Sequence, residues 1–147
     1  MGIITDFLLA QPSDATAVLE EAAPAQRWRG FETKSIDPIK LSTLAAILEH
    51  GPHDVQSDES DDLGIEELAV GGEEGPWVFL VSEELVSKLA GIPDSELAPL
   101  AMHWHQADEF QLDGWSEHEV LDVLGNLHKL AAEAQSSGMS VLLFMSL

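Results

Sequence analysis

The sequence predicts a single domain of the α/β or α+β class, a small mixed β-sheet packed against about five helices. Three observations carry this. Two short runs, Trp77–Val81 and Val141–Met145, are apolar at every position, the pattern of strands covered on both faces. Segments with helix caps and helical periodicity lie between the strand-like runs, so strands and helices alternate along the chain. Finally, 147 residues with 45% hydrophobic content supply one core.

Each element has its own signal. Residues 3–9 form a short apolar strand ended by Gln11-Pro12, and Ser13 or Asp14 caps a helix that Pro24 stops at about Ala23. Residues 29–36 alternate enough for a second, more exposed strand. Asp37-Pro38 then starts a helix, with Asp37 as N-cap, Pro38 at the first helical position and Leu41, Leu44, Ile47 and Leu48 on one face. Gly51 and Pro52 end it. Residues 52–76 hold nine Asp and Glu, which predicts a solvated, mobile acidic loop with a short helical or extended piece at 63–70 and a Gly-rich turn closing it.

Ser82 caps a helix over 83–90, with Glu83 and Glu84 at its positive end and Gly91 closing it. Asp94 caps another to about Ala107, which Pro99 kinks or shortens. Ser116 and Glu119 form a capping box, with Trp115 and Val120 at staple spacing. The longest helix follows, with Val120, Leu124, Leu127, Ala131 and Ala134 as its buried stripe and Gly138 at its end. Val141–Met145 is expected to be a central strand beside Trp77–Val81.

Charge is the most unusual property of the chain. Twenty-seven Asp and Glu face six Lys and Arg, a net charge of −21. Direct nucleic-acid binding needs clustered cations, and an anionic membrane surface would repel this chain, so neither partner is expected. A basic protein is the partner that fits, although acidity that only keeps the protein soluble fits as well. Without Cys there are no disulfides and no thiolate zinc sites. The start of the chain lacks a basic region and Asp6 interrupts its apolar run, which predicts no signal peptide and a cytoplasmic address.

No complete catalytic or cofactor motif is present, so no cofactor is expected. Among the histidines, His50, His53 and Asp54 are the best metal candidates, with imidazole and carboxylate ligands around a helix end. A histidine ending a helix is equally explained by the helix dipole. His103 and His105 flank Trp104 on a helix, where a spacing of two turns them apart. His128 fits a satisfied, half-buried role, and His118 an exposed one. A calcium loop counted from Asp58 fails, with Leu63 where Gly is needed and Ala69 where Glu is needed. Gly71–Gly75 lacks any Lys or Arg and precedes a strand, so it reads as turn chemistry and not as a phosphate loop. Asp108-Glu109 beside Trp104, Phe110 and Trp115 is the most site-like acidic pair, though core packing accounts for the aromatics equally well.

The order of elements resembles the YfbM-like group of bacterial proteins. The residues that carry this are Met1-Gly2, the helix after Asp37, Gly75-Pro76 leading into Ser82-Glu83-Glu84-Leu85-Val86, and a Trp before a long helix, then Gly138 and a terminal apolar strand. The resemblance implies a bacterial α/β domain, with no assigned activity and no site residue.

Two functions from different classes follow. One is a non-enzymatic acidic binding or regulatory module, of inhibitor or immunity type, presenting Asp54, Asp58, Glu59, Asp61, Asp62, Glu66 and Glu67 to a basic partner. The other is a metal-dependent hydrolase using His50, His53 and Asp54, with His103 or His105 as an optional further ligand. A homodimer is left open.

Overall fold

The computed structural model describes residues 4–21, 24–50 and 65–146. Strand β1 (Ile4–Ala10) leads through a 3-10 turn (Pro12–Asp14) into α1 (Ala15–Leu19), α2 (Pro24–Arg27) and β2 (Gly30–Lys34). Then come α3 (Pro38–His50), β3 (Ile65–Val70), β4 (Trp77–Val81), α4 (Glu83–Ala90), α5 (Asp94–His105), α6 (Asp108–Leu112), α7 (Glu117–Ser137) and β5 (Ser140–Ser146). No helix among the described residues is long and apolar enough to cross a membrane.

The strands form one sheet in the order β2-β1-β5-β4-β3. Every neighbouring pair is antiparallel, so the domain is α+β, and the expectation of a mixed sheet is corrected. The register shows why. Val81, the last residue of β4, pairs with Val141 near the start of β5. The long excursion through α4–α7 returns to the end of the sheet it left, which reverses the strand direction. Alternation of strands and helices along a sequence is compatible with either direction of return.

Strand β5 is central, between β1 and β4, as its composition requires. Its alternate residues serve two cores. Val141, Leu143 and Met145 join Phe7, Leu44, Leu89 and Leu124 in the larger one, under α3, α4, α5 and α7. Leu142 and Phe144 join Leu8, Val18 and Val78 in a smaller one, flanked by Trp28 and covered by α1 and α2. Each large side chain so buried contributes about 1.5–3 kcal/mol.

Local chemistry sets the main helix ends. The Asp37 carboxylate accepts the Lys40 amide (2.9 Å), with Pro38 first in α3. The Ser82 hydroxyl accepts the Leu85 amide (3.1 Å) at the start of α4. In α7 the capping box is complete: Ser116 Oγ accepts the Glu119 amide (3.1 Å) and Glu119 Oε1 accepts the Ser116 amide (3.0 Å). Gly138 ends α7 with φ 72°, a left-handed conformation that glycine reaches without steric cost.

Proline explains the departures. Pro24 opens α2 and does not close α1, since its fixed φ and missing N–H suit a first helical position. Pro93 is the N-cap of α5, and Asp94 stands inside the first turn without a side-chain cap. Pro99 lies within α5, which runs to His105; the chain turns there, and Asp108–Leu112 forms the separate α6.

Candidate functional site

Strand β3 lies inside the stretch expected to be a loop, and the extended alternative for part of it is the one observed. It pairs with β4 on one side and is last in the strand order. Ile65 packs against the larger core, while Leu68 and Ala69 both pack against the smaller one. The register shifts between Glu67 and Ala69, as a bulge produces. The bulge turns Leu68 and Ala69 to the same face, while Glu66 and Glu67, ahead of it in regular register, are both exposed. Glu73 and Glu74 follow on the exposed turn that leads to β4. Gly71 N–H donates to Pro76 O (2.8 Å) across that turn. Gly75 has φ 86°, and a Cβ there would stand 2.5 Å from the Trp77 ring, so the turn requires glycine.

The positive charge of the molecule is engaged elsewhere. Among the described residues, five of the six Lys and Arg are in ion pairs: Arg27–Glu21 (3.3 Å), Arg29–Glu133, Lys34–Glu119 (3.2 Å), Lys40–Asp113 (2.5 Å) and Lys88–Glu84 (3.3 Å). The Ser116 amide, and after it the Lys34 ammonium, hold the Glu119 carboxyl below its ordinary range; Arg29 does the same for Glu133. Glu66 and Glu67 have neither an ion pair nor a side-chain hydrogen bond among the described residues. Of the acidic residues singled out from the sequence, Asp54, Asp58, Glu59, Asp61 and Asp62 lie outside the described residues.

His50 is the last residue of α3, and its side chain, together with His53 and Asp54, lies outside the described residues. Among those described, no group of three His, Asp or Glu side chains is placed to hold a metal ion. His103 is exposed, whereas His105 Nε2 bonds to Trp115 O (2.6 Å). His128 Nδ1 bonds to Leu89 O (2.8 Å), which joins α7 to α4, and His118 is exposed. Trp104, Phe110 and Trp115 are buried and packed edge to face at 4.9 and 5.1 Å, so they are core aromatics, and neighbouring Glu109 accepts from Thr43 (3.2 Å).

Two buried charges escape the sequence pattern. Lys40 is 2% exposed, with Nζ donating to Ser35 O and Asp113 and standing 5.5 Å from the centre of the Phe110 ring. Asp6 is also 2% exposed, yet its Oδ1 has no hydrogen-bond partner among the described residues. It pairs in register with Glu32 on β2 and Phe144 on β5. Burial, and after it the Glu32 charge, push the Asp6 carboxyl up to about 6, with the Ala25 amide acting in the opposite direction. Asp6 was legible only as an interruption in an apolar run.

An open groove of about 680 Å³ runs between the start of α4 and the end of α7. Its lining has no His, Lys or Arg to activate Ser87 or Ser140. A smaller hollow of about 220 Å³ separates β2 from α7, spanned by the Lys34–Glu119 pair. Neither a family model, nor a curated protein, nor a solved structure matches the chain.

Proposed function

We propose that the protein is a non-enzymatic binding module that presents an anionic surface to a basic partner, in the manner of an inhibitor or immunity protein. The observation that carries this is the contrast in charge use: most cations are spent on internal ion pairs, while Glu66 and Glu67 stand uncompensated on a strand at the sheet edge. Uncompensated carboxylates at a sheet edge attract a basic surface and speed its encounter.

The test must separate a site from mere net charge. Binding of a lysine-rich peptide is titrated against wild type, Glu66→Lys/Glu67→Lys and a charge-matched control, Glu20→Lys/Asp108→Lys, at low and physiological salt. The first pair of changes should weaken binding about tenfold more than the control pair, since only it reverses charge at the edge. Equal losses in the two variants would reduce the attraction to net charge and remove the proposed function.

A further inference from the structure

We infer that the outer edge of β3 is a strand-addition site, at which an extended basic segment of the partner pairs as a sixth strand of the sheet. This rests on the proposed binding function and names its docking element and the chemistry of what docks. The last strand of a sheet presents a row of backbone N–H and C=O groups to a newcomer, and no element among the described residues pairs with that side of β3. Its six residues offer about 20 Å of backbone.

Side chains select the newcomer. Glu66 and Glu67 are successive, so they project to opposite sides of the strand, and a partner strand meets them with cations at two successive positions. Glu73 and Glu74 extend the negative field past the end of β3. Val70, 47% exposed, adds an apolar contact next to them. A second copy of this chain is disfavoured as the occupant, because its own β3 would bring carboxylates against carboxylates. The opposite edge is disfavoured too: β2 carries Lys34 and follows Arg29, cations that would repel the same segment and that already pair with α7.

The probe is an eight-residue peptide with Lys-Lys at its centre and Val and Thr on either side. Two N-methylated versions keep its charge, and each blocks one of the two pairing frames of its backbone. The parent should slow amide exchange across residues 65–70 by about tenfold or more, and one methylated version should bind at least about tenfold more weakly than the parent. If all three peptides bind alike without slowing exchange in β3, strand addition is overturned and charge-based binding stands. If none of the three binds while the lysine-rich peptide of the earlier titration does, strand addition is again overturned alone. Should that lysine-rich peptide also fail to bind, the proposed function falls with it.

Discussion

The two edges of the sheet meet their surroundings differently. At one end, β2 is tied down: Phe31 stacks on Phe7 at 5.2 Å, Lys34 reaches Glu119 and lies 5.7 Å from the centre of the Trp115 ring, and Arg29 pairs with Glu133. All three long contacts run to or beside α7. At the other end, β3 has partly buried apolar residues on its two faces and, between them, carboxylates with no ion pair among the described residues. Both edges solve the problem of unwanted strand pairing, one by side-chain clamps and the other by like charge. The difference teaches where a partner can enter: a clamped edge must release contacts first, whereas a charged edge excludes copies of itself and admits the opposite charge.

The largest effect should come from removing what joins the edges. Truncation after Gly138 deletes β5, the strand that holds the β1–β2 and β3–β4 pairs together, and should abolish cooperative unfolding. A calorimetric transition near the wild-type temperature would show that the two halves hold together without it. Next, Phe31→Ala should cost about 2–3 kcal/mol in urea denaturation, less than a fully buried Phe because Phe31 is only half-buried against Phe7. A cost near zero would mean that the β2 clamp lies in its ion pairs alone.

Asp6, beside β2, should respond to pH. A carboxyl whose folded pKa (about 6) lies above its unfolded value binds its proton more tightly in the native state, so its contribution favours the fold in acid and is lost as pH rises through about 6. Asp6→Asn should therefore stabilise the protein by about 1–3 kcal/mol at pH 7.5 and change little below pH 4. Urea midpoints at the two pH values decide this, and a variant weaker than wild type at pH 7.5 would contradict it. Smaller again, Arg29→Ala and Lys34→Ala should each lower the melting temperature by at most about 3 °C, with the loss fading as salt rises, because exposed pairs are screened. The smallest effect belongs to the open edge. Glu66→Ala and Glu67→Ala should change stability by no more than about 0.5 kcal/mol, since neither side chain has a partner to lose among the described residues. A clear loss in either would reveal a structural role for the acids of β3.

Much of this contrast was partly legible in the sequence. The helix at 83–90, the capping box of α7 and the two-sided strand β5 all follow from signals within a few residues of each element, and each is where it was expected. Glu66 and Glu67 stood out as acids, but their meaning changed. On a solvated loop they would be two charges among many; on β3 they sit beside a backbone edge that pairs with no strand among the described residues. No short-range signal distinguishes these, because the stretch has Ile65 before the pair and three successive apolar residues, Leu68-Ala69-Val70, after it, which fits neither a period of two nor one of 3.6.

The sequence by itself determined caps, helix stripes, the central place of Val141–Met145 and the overwhelming negative charge, because these depend on composition and on spacing along one element. Only the tertiary structure decided the rest. Strand direction depended on the end of the sheet to which four helices returned the chain. The burial of Lys40 depended on a carboxylate 73 positions away and a ring from another helix. The isolation of Asp6 depended on Glu32 and Phe144 being its neighbours across two strands. Each is a property of what packs opposite a residue, and packing across elements leaves no mark at short range.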